Sequence, residues 1–164
     1  MTRFNGQDIE RIYEENLALA IISLQTMPVA RGRKPSFQGL NGWIYEQTIR
    51  SCLEDELELL GLSWLIVDQK PLQGRARVDL FVGDATAIEI KAGGIFGDDA
   101  EKYRKYCAIA RNEKKWAYLY VTKRETHKPY YDATKEVFGL DSAFFLDEVS
   151  GWSDFVAAVV EAVE

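Results

Sequence analysis

Hydrophobic and polar positions alternate along this chain with two distinct periods. Over residues 7–26, Ile9, Ile12, Tyr13, Leu17, Ala20, Ile21 and Leu24 recur at helical spacing. Residues 27–40 carry two prolines, two glycines and the cations Arg31, Arg33 and Lys34, which predicts a loop. A second helix is expected from Asn41, a candidate N-cap, to Leu60, with Gly61 as its stop. Its inward stripe would be Ile49, Leu53, Leu57 and Leu60. The period then changes to strand-like runs at Leu62–Asp68, Arg75–Val82 and Ala87–Lys91. Gly93, Gly94 and Gly97 interrupt the chain before a third helix, which Asp98 or Asp99 would cap and which would run to about Asn112. Trp116–Thr122 predicts a fourth strand, residues 123–134 an exposed loop, and Ala143–Leu146 a short fifth strand. Ser153 would cap a last helix containing Phe155, Val156, Val159, Val160 and Val163. The central order is therefore α-β-β-β-α-β.

The charges sit on this pattern in an informative way. On the second strand Arg75, Arg77, Asp79 and Phe81 share one face, and Ala76, Val78, Leu80 and Val82 share an apolar one. On the third, Ala87, Glu89 and Lys91 oppose Ile88 and Ile90. If the two apolar faces coincide, Asp79, Glu89 and Lys91 lie on one side of the sheet. An antiparallel hairpin then needs an odd loop, such as the three residues Gly83-Asp84-Ala85. Asp79 and Glu89 would face each other, and two facing carboxylates repel unless a proton or a cation intervenes. Glu46 lies two turns before Leu53 and extends the inward helical stripe, so it would need a partner if buried. A divalent cation with oxygen ligands suits such a set, since it polarises a phosphoryl oxygen and acidifies a bound water. A neighbouring lysine can stabilise the charge that develops.

Asp79 followed ten residues later by Glu89-Ile90-Lys91 resembles the PD-(D/E)XK signature of restriction-endonuclease-like nucleases, with Val78 where the family name has proline. The resemblance spans the predicted elements from Asn41 to Thr122. It implies an α/β fold with an αβββαβ core, a mixed sheet flanked by helices, and additional N- and C-terminal helices. It further implies Asp79 and Glu89 as metal ligands with the Ile90 carbonyl as a third, and Lys91 as the catalytic lysine. Glu46, in Gly42-Trp43-Ile44-Tyr45-Glu46, resembles the acidic residue that many members carry on their first core helix. The implied activity is Mg²⁺-dependent hydrolysis of DNA phosphodiesters, with Mn²⁺ as a substitute, in an endonuclease of restriction, homing or repair type. A Holliday-junction resolvase is the alternative within enzymes. A catalytically inactive DNA- or protein-binding module on the same fold is the alternative outside them. No Gln-x-x-x-Tyr follows the motif, so a RecB-like exonuclease is not supported.

Each feature also has a plainer reading. Asp79 and Glu89 could pair with Arg77 and Lys91 as surface ions across a hairpin. Glu46 could sit at the solvent edge of its helix. Arg75, Arg77 and Lys102 are candidates for phosphate contact or for a solvated face. Arg31, Arg33 and Lys34 form either a DNA-contacting arm or an ordinary basic loop. Tyr103 and Tyr106 could stack on a ligand or pack in the core. The acidic run Glu54-Asp55-Glu56, with Glu58, is expected in solvent. His127 is the only histidine, which excludes a His-rich zinc site.

Composition narrows the picture further. With 164 residues the expectation is one domain: an arm and basic loop over 1–40, a core over 41–122 and a C-terminal extension over 123–164. The net charge of -6 argues against nonspecific coating of nucleic acid, which needs many phosphate-neutralising cations. The longest apolar runs are about half the ~20 residues that span a bilayer, so no membrane is expected as a partner. The N-terminus lacks the apolar core of a signal peptide, and Cys52 and Cys107 are expected as buried thiols, which suits the cytoplasm. A homodimer or higher oligomer would suit double-strand cutting.

Overall fold

Helices and strands appear in nearly the order that the periodicities predict. The computed structural model describes residues 1–26, 37–62, 64–92, 97–123 and 128–163. Its elements are α1 (Gly6–Thr26), α2 (Phe37–Leu59), β1 (Ile66–Gln73), β2 (Ala76–Val82), β3 (Thr86–Lys91), α3 (Gly97–Ala108), β4 (Ala117–Thr122), α4 (Lys128–Phe138), β5 (Ala143–Phe145) and α5 (Gly151–Val163). A π-helical turn, Ile109–Lys114, prolongs α3. Five strands form one mixed sheet in the order β1-β2-β3-β4-β5. The β1–β2 and β2–β3 pairs are antiparallel, and the β3–β4 and β4–β5 pairs are parallel.

The sheet is covered on both faces. On one, Leu80, Val82, Ile88, Ile90, Leu119 and Val121 pack against apolar side chains of α1, α2 and α5. On the other, Phe81, Ala87, Tyr118 and Tyr120 pack against α3, the π-helical turn and α4. A parallel strand buried on both faces reads as a continuous apolar run, as β4 does. Among the described residues, no helix is long and apolar enough to cross a membrane.

The β2–β3 hairpin has the odd loop that parity requires. Val82 pairs with Thr86, leaving Gly83, Asp84 and Ala85 between them. Gly83 has φ 61, a left-handed conformation that glycine adopts without steric cost. The expected single apolar face of β2 does not hold throughout. Leu80 and Val82 face the first core, whereas Ala76 and Val78 pack with the second. The change of face falls at Asp79, and Gln69, the β1 residue opposite, has φ 54. Gln69 thus departs from extended backbone beside the position where the side-chain alternation of β2 changes.

Other expectations change at the element ends. Helix α2 starts at Phe37 rather than Asn41 and so recruits Leu40 to the first core. Its stop is as read: Gly61 has φ 74, and Leu62 N–H donates to the Leu57 carbonyl at 2.8 Å. Leu60, expected in the stripe, is exposed, one residue past the end of α2. Arg75 belongs to the β1–β2 turn and not to β2. Strand β1 lies several residues later than Leu62–Asp68. The segment read as an exposed loop over 123–134 contains most of α4, whose Thr134, Val137 and Phe138 are buried. Pro129 does not prevent this helix, since proline is tolerated in the first helical turn, where its missing N–H is not needed.

Two helices begin where the chain leaves β5. A Cβ on Gly6 would lie 1.7 Å from the Leu146 carbonyl oxygen, and one on Gly151 would lie 2.1 Å from that of Phe145. Both obstacles are backbone, so neither can swing aside. Gly6→Ala and Gly151→Ala are each expected to lower unfolding stability by about 1–3 kcal/mol through overpacking. Urea midpoints equal to that of the parent would show that the backbone yields.

Candidate active site

The site forms where β2 parts from β3. Their ladder ends at the pair Leu80–Ile88. One step further, the Asp79 carboxylate replaces the main chain as acceptor: Ile90 N–H donates to Asp79 Oδ2 at 2.8 Å. Among the described residues the other oxygen, Oδ1, has only a long contact to Gln69 Nε2 at 3.5 Å. Burial pushes the Asp79 pKa up to about 7, and the charges of Glu89 and Glu46 push it the same way. The Ile90 N–H and Lys91 oppose them without prevailing.

Glu89, in the middle of β3, is 4% exposed. Tyr103 of α3 donates its hydroxyl to Oε1 at 2.8 Å, and Tyr118 of β4 donates to Oε2 at 3.0 Å. Lys91 Nζ lies 2.9 Å from Oε1. Burial pushes both phenols well above the ordinary tyrosine range, and Glu89 adds to the shift. For Lys91, burial acts to lower the pKa, but Glu89 and Asp79 outweigh it and leave it raised. Lys91 is therefore an ammonium at neutral pH.

Glu46, on α2, is half-buried. Burial raises its pKa, Lys91 pulls it down, and Glu89 and Asp68 push it up again. It accepts no hydrogen bond among the described residues. Asp68 is itself held by Arg50, which also pairs with Glu54. Four predicted residues, Glu46, Asp79, Glu89 and Lys91, are thus electrostatic neighbours in one place. Three carboxylates face one ammonium, and that surplus of hard oxygen donors is the chemistry that fits a divalent cation. Among the described residues, no three potential ligand side chains are gathered into a ready-made cage.

The candidate DNA contacts divide. Lys102 lies near the site: its Nζ sits 4.6 Å from the centre of the Tyr103 ring and 3.4 Å from Asp99. Arg77 is exposed and donates to the Gln69 carbonyl at 2.9 Å. Arg75 is exposed at its turn. Arg31, Arg33 and Lys34 lie outside the described residues, as does His127.

Sequence reasoning missed the two tyrosines as partners of Glu89. Their signal is tertiary. Only the parallel register, with Ala87 opposite Tyr118 and Glu89 opposite Tyr120, puts Tyr118 on the face of Glu89. Tyr103 arrives on α3 from the layer above. Glu56 was also misread. It is 1% exposed, not solvated, and its carboxylate accepts from Arg3 N, Phe4 N and Trp152 Nε1 at 2.9, 2.9 and 3.0 Å. That corrects the expectation of solvent for Glu56, while Glu54 and Glu58 of the same run are exposed as expected. No family model, curated protein or solved structure matches the chain.

Proposed function

We propose that this protein is a divalent-cation-dependent DNA nuclease of PD-(D/E)XK type. The observation that carries the reading is the convergence of Asp79, Glu89, Lys91 and Glu46 at the point where β2 and β3 separate. The element order α2-β1-β2-β3-α3-β4 supports it. The resemblance implies Asp79, Glu89 and the Ile90 carbonyl as ligands of Mg²⁺, with Mn²⁺ able to substitute. Of the site's carboxylate oxygens, those least engaged by the described residues are Asp79 Oδ1 and both of Glu46. A bound cation would neutralise charge on the scissile phosphate and acidify its water. Lys91, as an ammonium, would donate to a phosphoryl oxygen as charge builds there. Asp79 is fixed by Ile90 N–H, so its free oxygen keeps one orientation. Lys102 lies on the same side and would approach a flanking phosphate. A symmetric cut through both strands would call for two copies of the chain.

The competing reading is a silent DNA- or protein-binding module, and the engagement of both Glu89 oxygens by the protein's own donors favours it. One experiment separates the two. Purified protein with Mg²⁺ or Mn²⁺ is expected to cut at least one of linear, supercoiled or four-way-junction DNA. Lys91→Ala is expected to slow cutting about 10²–10³-fold, the usual cost of losing one donor to a developing oxyanion. Intact DNA on every substrate, together with no metal binding, would defeat the nuclease reading.

A further inference from the structure

We infer that Glu89 acts as the anchor that aims Lys91, gripped from behind by Tyr103 and Tyr118, and that it is not an arm of the cation's ligand set. The second half of this statement rests on the nuclease reading, and the first half does not.

The argument is one of hydrogen-bond capacity. Each carboxylate oxygen offers about two lone-pair sites. Those of Glu89 Oε1 are taken by the Tyr103 hydroxyl at 2.8 Å and the Lys91 ammonium at 2.9 Å. Oε2 accepts the Tyr118 hydroxyl at 3.0 Å. Tyr103 and Tyr118 are each 1% exposed, so neither hydroxyl has water to fall back on. Both rings pack on Phe138, with centroids at 5.6 and 5.5 Å, which prevents them from swinging away. Turning Glu89 toward a cation would strand two buried phenols, which is costly in a low-dielectric interior.

The same tyrosine also steadies the lysine. Lys91 Nζ lies 5.8 Å from the Tyr103 ring centre, within reach of a cation–π attraction. Lys91 is therefore held by Glu89 directly and by Tyr103 both directly and through Glu89. Asp79 and Glu46 contrast with this. One oxygen of Asp79 has only its 3.5 Å contact, and Glu46 has no hydrogen bond among the described residues. These two carboxylates retain capacity for a cation. Tyr103, Tyr118 and Glu89 are then positioning residues, and Lys91 is the group that reaches substrate.

The test has two arms on the full-length protein. The first is metal-free pulse acylation of lysines, read by peptide mass spectrometry, with the exposed Lys114 as the internal reference. Lys91 is expected to react about tenfold faster in Glu89→Gln, and several-fold faster in Tyr103→Phe and Tyr118→Phe, than in the parent. The phenylalanine variants keep the rings, so they report on the hydroxyls if the glutamine variant folds poorly. Unchanged Lys91 reactivity in all three would overturn the anchor. The second arm is Mn²⁺ titration. Glu89→Gln should keep its affinity within about threefold of the parent, and Asp79→Asn should lose tenfold or more. Equal losses in the two variants would return Glu89 to the ligand set. A parent protein that neither binds Mn²⁺ nor cuts DNA would end the nuclease reading, and the acylation arm would still decide the anchor.

Discussion

Replacing Asp79 by asparagine is expected to stabilise the metal-free protein at pH 8 by about 1–3 kcal/mol while removing its cation binding. The wild-type carboxylate is costly because it ionises in the wrong place. Its pKa stands near 7 in the fold, first from burial and then from Glu89 and Glu46, with Lys91 and the Ile90 N–H only partly compensating. In the unfolded chain an aspartate titrates near 3.9. Between those values the folded state holds a proton that the unfolded state has released. Stability therefore falls as pH rises from about 4 to about 7, then levels off, the reverse of a salt-bridged aspartate. At about 1.4 kcal/mol per pKa unit, the ceiling on the loss is about 4 kcal/mol.

Asparagine does not titrate, and its amide oxygen can still accept the Ile90 N–H. Urea denaturation in a chelator at pH 4 and pH 8 reads the effect directly. The two proteins should be close at pH 4 and diverge at pH 8, with the variant the more stable. A variant less stable than the parent at pH 8 would contradict the electrostatic account. Added Mn²⁺ should then raise the stability of the parent and not that of the variant, because only a state that binds ligand gains from it. A site that destabilises its own empty fold is the pattern expected where function and stability compete.

The second large effect belongs to a residue far from the site. Glu56→Ala is expected to cost about 3–5 kcal/mol, because it leaves several donors without an acceptor at once. Trp152 Nε1 is the decisive one: the side chain is 1% exposed, so water cannot replace the lost carboxylate. Arg3 N and Phe4 N would also lose the contact that closes the N-terminal segment onto α2 and α5. For a chain of this length the loss corresponds to a fall in Tm of roughly 6–20 °C. Glu56→Gln keeps one acceptor oxygen and should fall between the two. Glu58→Ala, at an exposed position on the same helix, should stay within about 0.5 kcal/mol of the parent. Equal effects of Glu56→Ala and Glu58→Ala would mean that the three-way tie contributes nothing. Faster hydrogen exchange at the Arg3 and Phe4 amides in Glu56→Ala would locate the damage.

The contrast between Glu56 and Glu58 shows what a linear reading can and cannot recover. Both lie in one acidic run, and helical spacing separates them only by face: Glu56, three residues after Leu53, flanks the inward stripe, whereas Glu58 lies on the opposite side. Glu56 is buried because Trp152 and the N-terminal amides, 96 and more than 50 positions away in the chain, meet it from other elements. Asp79, Glu89 and Lys91 were legible for the opposite reason. They lie within a single hairpin, where the two-residue period and a three-residue loop constrain which side chains meet. Even there, the two-residue period is broken: Val78 packs in the second core although Leu80 packs in the first.

By itself the amino-acid sequence determined the succession of helices and strands apart from α4, the loop of the central hairpin and the residues able to gather charge at its open end. These follow from periods and spacings that act over a few residues. Tertiary structure alone decided that Tyr103 and Tyr118 close on Glu89, that Glu46 is left half-buried without a hydrogen bond among the described residues, and that Glu56 becomes a buried tie. The physical reason is that a hydrogen bond between distant elements depends on their packing, and side-chain periodicity carries no record of the register between a helix and a strand that meet only in the folded chain.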